Sequence, residues 1–212
     1  MLTLGINTVS DACEAALIRD GVVIAELSEP MQQGHDARLA PVVEKLMRDS
    51  ATSFGDLDRI AIVVGPGSFT GVRVGVAFAR GLALSLDKPA VGVTSLEALD
   101  ALPGEGRVLG LLPAKRRPPE RTWWGQIIDR GRGVAEPFET GTTELQSLAS
   151  DMDALCGGLA DVPDLGPSRV PATPTAKAAA LFVGRLPDGE LPPPRPVYVR
   201  EPDATPMRPV GQ

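Results

Sequence analysis

The chain has 212 residues, 43% of them hydrophobic and 23% charged, which suits one large soluble domain or two small ones. Its net charge of −6 argues against a chain that grips nucleic acid by bulk positive charge. Two cysteines are too few for a disulfide framework, no apolar run approaches the ~20 residues of a membrane span, and no basic leader precedes the first strand pattern, so a cytoplasmic location is expected.

Leu2, Leu4 and Ile6 alternate with smaller or polar residues and predict a strand. Residues 15–18 and 22–27 predict two more, and Asp20-Gly21 between them predicts a hairpin turn. Leu39, Val42, Val43, Leu46 and Met47 then keep a helical spacing, with Asp36 as the expected cap. Residues 60–64 read as a buried strand, 72–86 as a helix, and 90–93 as a fifth strand. Ser95 is the expected cap of a short helix through Leu96, Leu99 and Ala101. Three strands, helix, strand, helix, strand is the order of the ribonuclease-H-like core repeated in the actin, Hsp70 and sugar-kinase superfamily. Such a likeness of topology says little about chemistry.

The second half is less regular. Residues 107–112 read as a strand, and 123–128 and 134–138 as a further pair. Thr143 is the expected cap of a helix carrying Leu145, Leu148, Met152 and Leu155, and a last helix is expected over 175–185. From Leu186 onward proline is too dense for a long helix; residues 196–200 are expected to form one short strand, and 202–206 an extended tail. The expectation is an α/β protein of two ribonuclease-H-like lobes, residues 1–102 and 103–212. The second lobe is reduced and ends in a proline-rich tail.

The densest motif is Gly65-Pro66-Gly67-Ser68-Phe69-Thr70-Gly71-Val72-Arg73-Val74-Gly75, set between a strand and a helix. Backbone N–H groups in such a turn can face an anion, and Ser68 and Thr70 can cap the helix or donate to that anion. A tight structural turn explains the same glycines. No Gly-Lys-Ser/Thr closes the loop, and its spacing is not that of a dinucleotide fingerprint. Asn7, Thr8, Gly65, Gly67, Ser68, Thr70 and Gly71 form the candidate nucleotide-binding set. Asn7 stands where actin-type ATPases place an acidic residue, and an uncharged amide binds Mg²⁺ poorly, so at most weak ATP binding is expected.

Gly71, Gly75, Ala79 and Ala83 recur every four residues, a ridge that admits close packing either within the chain or against a partner helix. The candidate partner interface is therefore Leu39, Val43, Leu46, Val72, Gly75, Val76, Ala79 and Ala83. The single histidine, His35, reads as a residue satisfied at the start of a helix, and Cys13 and Cys156 as small buried residues. Lys115-Arg116-Arg117, with Arg121, reads as a solvated loop.

The glycine-rich motif resembles the signature of the TsaB (YeaZ-type) family, bacterial proteins of tRNA threonylcarbamoyladenosine synthesis. Asp36-Ala37-Arg38-Leu39-Ala40-Pro41 and Pro196-Val197-Tyr198-x-Arg200 are similar to further features of that family. The resemblance is strong over residues 1–100, weak over 101–190, and returns at 196–204. It implies a non-catalytic paralogue of TsaD, a dimerisation subunit required by a TsaD-like partner for threonylcarbamoyl transfer to the adenosine beside the anticodon. A TsaE-like ATPase, self-association and tRNA held through the complex are implied with it, and no cofactor or metal. Segment 93–99 corresponds to the His-x-x-x-His metal site of TsaD, but Ser95 and Leu99 occupy the two histidine positions. Many family members carry Asp and Tyr at the start of the second lobe, where this chain has Leu112-Pro113-Ala114 and Trp123-Trp124. The alternative is a small ATP-binding or ATP-hydrolysing enzyme of the actin and sugar-kinase superfamily.

Overall fold

The computed structural model describes residues 1–114 and 121–199. The basic cluster 115–117 and the tail expected over 202–206 lie outside the described residues.

The first sheet is built on β1 (Leu2–Asn7), buried along its whole length. It pairs antiparallel with β2 (Ala12–Arg19) and parallel with β4 (Arg59–Val63). β3 (Val22–Pro30) returns along β2 through Asp20 and Gly21, at φ +50° and +79°. Positive φ at both positions is what a two-residue hairpin of matching twist demands. β5 (Ala90–Val93) completes the order β3-β2-β1-β4-β5.

Two helices cover this sheet. α1 (His35–Asp49) buries Leu39, Val42, Val43, Leu46 and Met47. Its cap is Gly34 at φ +88°, with no side-chain bond; Asp36, the expected cap, lies inside the first turn, where its charge suits the helix dipole. α2 (Phe69–Leu86) is capped by Ser68, whose hydroxyl accepts from Gly71 N–H at 3.3 Å. Thr70 is exposed in the first turn and is not the cap. α2 has 18 residues and mean hydropathy 1.3, so by length and composition alone it could cross a membrane, contrary to the expectation from apolar runs. Its Gly71, Gly75, Ala79 and Ala83 side is instead built into the core.

The second sheet repeats the scheme. β6 (Arg107–Pro113) pairs antiparallel with β7 (Thr122–Asp129) and parallel with β10 (Ala154–Gly157). β8 (Arg132–Gly133) and β11 (Ser168–Pro171) complete the order β11-β10-β6-β7-β8, and β9 (Phe138–Gly141) adds to β7. Strand order and strand senses match the first sheet. Only α3 (Thr142–Ala149) covers this repeat from within, and the β10–β11 connection has no helix, so the second lobe is reduced as expected.

Several elements differ from their sequence patterns. The strand expected over 134–138 does not form: β8 ends at Gly133, residues 134–137 are a connection, and β9 begins at Phe138. α3 starts after Gly141, whose N–H donates to Glu144 at 3.0 Å, so Thr143 is not its cap. It ends at Ala149, because Leu155 is needed in β10, parallel to β6. Residues 95–98 form a single turn rather than a short helix. Thr94, not Ser95, caps it: Thr94 Oγ1 accepts from Glu97 N–H at 3.0 Å, and Glu97 accepts from Thr94 N–H at 3.1 Å. The helix cannot extend, because Leu99 bridges Pro174. Residues 196–199 form no strand, although Val197 N–H reaches Val64 O at 2.9 Å.

The halves exchange segments. After β5, Leu96 and Leu99 pack with Val108, Ile128 and Cys156 of the second half. After β11, α4 (Ala176–Gly184), capped by Thr175, puts Ala179 and Val183 into the first core. α4 lies in the 103–212 segment of the sequence but packs on the first sheet. A Cβ on Gly5 would stand 2.0 Å from Ala176 O, so the approach requires glycine. Buried Arg59 holds the far end of α4, donating to the carbonyls of Val183 at 2.8 Å and Leu186 at 2.7 Å and pairing with Asp188. A cation at a helix C-terminus satisfies carbonyls that have no partner within the helix. Replacing Arg59 with Ala leaves these carbonyls unpaired; the expected loss is about 3 kcal/mol, read from urea unfolding midpoints.

Candidate functional site

The glycine-rich loop joins β4 to α2 and meets the residues that follow β1. Ser68 N–H donates to Val9 O at 3.0 Å, and Thr8 Oγ1 donates to Gly71 O at 2.7 Å. A Cβ on Gly71 would stand 1.9 Å from Thr8 O, and one on Gly67 2.8 Å from Val9 O. Gly65, at φ +100°, receives another segment: its Cβ would stand 2.8 Å from Val197 O. The glycines at 65, 67 and 71 thus admit the chain's own backbone. The loop is a packed turn, one of the two readings its composition allows.

Asn7 is completely buried at the end of β1. Its Nδ2 donates to Ser10 Oγ at 3.1 Å, Glu14 Oε2 at 2.8 Å and Pro174 O at 2.9 Å. Its Oδ1 accepts from Val9 N–H at 3.1 Å. Glu14 also accepts from Ala176 N–H at 3.2 Å, a carboxylate at the positive end of α4. The amide that replaces an ATPase carboxylate therefore ties the β1 end to the start of α4.

Between the lobes, beside this turn, lies a cavity of about 620 Å³. Ser10, Asp11, Gln32, Gln33, Gly67 and Ser68 line it from the first half, and Leu112, Trp124, Gly158 and Thr173 from the second. Of the seven candidate nucleotide residues only Gly67 and Ser68 face it. Asn7 and Thr8 are buried, with their polar atoms engaged.

The eight candidate interface residues are brought together, but inward. Leu39, Val43, Leu46, Val72, Gly75, Val76, Ala79 and Ala83 are all buried within the chain. A Cβ on Gly75 would stand 2.4 Å from Thr8 Oγ1 and 2.8 Å from Ile62 Cδ1. The ridge is small because Thr8 and Ile62 of β4 lie against it. The outward side of α2 carries other residues: Ala77, Gly81 and Leu84 are exposed, Leu84 at 85%, with half-buried Val74 and Phe78 beside them.

At the positions matched to a metal site, Leu99 is buried and Ser95 Oγ is buried without a hydrogen-bond partner. Among the described residues, no group of three or more His, Cys, Asp or Glu side chains converges as metal ligands would. His35 is the buried first residue of α1, with Nε2 3.3 Å from Ala12 O. Arg121 pairs with Asp161 at 2.9 Å. The sequence reading missed a link between the halves: Thr94 Oγ1 bonds Gln126 Oε1 at 2.6 Å, and Gly133 N–H donates to Glu97 at 3.0 Å. Its visible signal was Thr94-x-x-Glu97, the spacing of a capping box.

Burial pushes the Cys13 thiol up to about 11, helped by the nearby Glu29 carboxylate, and that of Cys156 to about 12. Both shifts favour the neutral thiol, so the stability they confer is full below the ordinary thiol pKa near 9 and is lost as pH rises toward 11–12. Ellman's reagent at pH 8 is expected to find no fast thiol in the native chain and both in denaturant. Asn7→Asp removes three donor contacts and sets a second carboxylate against Glu14. It is expected to cost about 3 kcal/mol at pH 7, read by chemical unfolding.

Comparison with known proteins follows the same lines. The family model described as TsaD, tRNA N6-adenosine threonylcarbamoyltransferase, matches residues 23–105. The tRNA threonylcarbamoyladenosine biosynthesis protein TsaB of Escherichia coli is 33% identical over 178 residues, 78% of this chain and 75% of that one. The solved structure of YeaZ from Pseudomonas aeruginosa is 26% identical and superposes with a TM-score of 0.68, over 86% of this chain and 90% of that one. The ROK hexokinase of Thermus thermophilus, 14% identical with a TM-score of 0.55 over 87% of this chain and 97% of that one, shares the fold alone.

Proposed function

The chain belongs to the TsaB family of tRNA threonylcarbamoyladenosine biosynthesis proteins, and from that membership we propose that it is the accessory, non-catalytic subunit of this synthesis. Its partner is a TsaD-like catalytic subunit, which transfers threonylcarbamoyl to the adenosine beside the anticodon. A TsaE-like ATPase joins the complex, tRNA is held through it, and the chain alone pairs with itself. The reading places this work in the cytoplasm and assigns this chain no cofactor.

One observation carries the reading. The signature loop is filled by Thr8, Val9 and Val197 of the same chain, and Asn7 spends its amide on tying β1 to α4. Thr8, Val9, Val197 and Asn7 thus serve as scaffold, which supports the accessory reading.

The pairing surface is the outward side of α2. A Cβ on Gly81 would meet nothing within 4 Å, so no packing inside the chain explains a glycine there. Glycine within a helix costs on the order of 1 kcal/mol relative to alanine. Close approach of a partner helix to Gly81, flanked by Ala77 and Leu84, supplies a reason.

The cavity of about 620 Å³ favours the second reading, a small ATP-binding enzyme. That reading requires tight Mg-ATP binding that is lost on Ser68→Ala.

The deciding measurement is threonylcarbamoyl transfer to tRNA by the TsaD-like partner and TsaE-like ATPase, with and without this chain. Transfer that needs the chain, while the chain alone does nothing, supports the accessory reading; transfer that proceeds equally without it overturns the reading. Gly81→Ala is expected to raise stability by about 0.5–1 kcal/mol. Gly81→Arg is expected to keep the fold and lose pairing, read by sedimentation.

A further inference from the structure

The chain carries a strip of arginine and aromatic side chains that its fold leaves open. Residues 192–198 run across the first half as an extended strap. Gly92 N–H donates to Pro192 O at 3.0 Å, and Val197 N–H to Val64 O at 2.9 Å. Arg80 Nη2 donates to Pro194 O. Arg73 Nε donates to the Tyr198 hydroxyl at 3.2 Å, and its guanidinium lies 3.7 Å from the centre of the Phe69 ring. The Phe69 and Tyr198 rings are 5.1 Å apart and tilted by 44°. Tyr198 remains 43% exposed, and Arg195 on the same strap is exposed.

The charge here is uncompensated. Arg38, Arg59, Arg121 and Arg132 each pair with a carboxylate. Among the described residues, Arg73, Arg80 and Arg195 pair with none, as do Arg19, Arg107, Arg130, Arg169 and Arg185 elsewhere. Arg73 and Arg80 are held by a ring, a hydroxyl and a carbonyl, none of which cancels their charge. They are two helical turns apart, about 10 Å along α2. In a chain of net charge −6, three unpaired cations on one strip form a local positive patch.

Beside it a groove of about 1040 Å³ opens between the strap and residues 133–137. Tyr198 and Arg195 line its strap side, and Glu97, Gln126 and Glu136 also line it. The Glu97 carboxylate is engaged by Thr94 and by Gly133 N–H. Carboxylates in the groove repel phosphate and can accept from base amino groups, while the arginines attract phosphate. That polarity orients a nucleotide with its base inward and its backbone over the cations.

We propose that this strip binds a single-stranded stretch of RNA, with phosphates over Arg73, Arg80 and Arg195 and a base stacked on Tyr198 at the groove mouth. Unstacked bases are recognised in this way, on aromatic rings beside arginine planes. The inference rests on the proposed function only for the identity of the RNA as tRNA. On α2 the strip lies about 100° from Gly81 and Val74 but within about 60° of Ala77 and Leu84, so it borders the proposed pairing surface.

The test uses the full chain alone and a fluorescent single-stranded RNA ten-mer, with anisotropy measured over a range of KCl concentrations. Three phosphate contacts predict a slope of log affinity on log salt of about −2. Arg195→Gln, whose side chain has no hydrogen-bond partner among the described residues, is expected to reduce that slope by about 0.7 with an unchanged melting temperature. Tyr198→Ala is expected to weaken binding about tenfold with the slope retained. Absence of binding by the wild-type chain overturns the proposal, as does wild-type affinity in both variants. If the variants instead weaken pairing with the TsaD-like subunit and leave RNA affinity untouched, the strip is a patch for an acidic protein surface and the proposal falls. A chain that is dispensable for threonylcarbamoyl transfer yet binds RNA through the strip overturns the accessory reading and leaves this one standing.

Discussion

The fold depends on one close approach, that of Gly71 to the carbonyl of Thr8. No side chain fits between them, since a Cβ at 71 would stand 1.9 Å from that oxygen. With the gap closed, Thr8 Oγ1 reaches the Gly71 carbonyl and Gly75 lies against Thr8 and Ile62. The start of α2 is thereby fixed to the end of β1, and β4 is held between them. Here the carbonyls of Thr8 and Val9 lie against the loop, and Ser68 N–H is spent on Val9.

The same economy governs the rest of the space between the halves. Asn7 bonds Pro174 and Glu14, and Glu14 receives the first N–H of α4. Thr94 bonds Gln126, and Glu97 bonds Gly133. In this chain buried polar groups near the cleft are committed to holding it as it stands, and each would lose a partner on opening. Fixed geometry suits the accessory role proposed above.

Much of this was legible in the sequence. The first five strands, both helices between them and the Asp20-Gly21 turn followed from alternation, helical spacing and turn chemistry. The face was not legible. Gly71, Gly75, Ala79 and Ala83 are as small as a partner helix would require, but a strand of the same chain requires the same residues, and spacing alone does not separate the two. Gly81 lies off that ridge and gave no periodic signal. Helix ends were hardest where tertiary demand overrode propensity: Leu155 continues the spacing of α3 but is taken by β10, and Leu99 is stopped by its bridge to Pro174. The roles of Arg73, Arg80 and Tyr198 depend on contacts more than a hundred residues apart, which local patterns do not carry.

The exchange of segments also sets an order in time. β1 emerges first from the ribosome, but the face that receives α4 stays uncovered until residue 184 has been made. At ordinary rates of translation that wait is on the order of ten seconds. During it the nascent first half exposes a complete apolar sheet face, a surface that chaperones hold and that aggregation exploits. Truncation anywhere before α4 would make that transient state permanent. A chain ended before α4 would therefore lack the cover of its own first sheet.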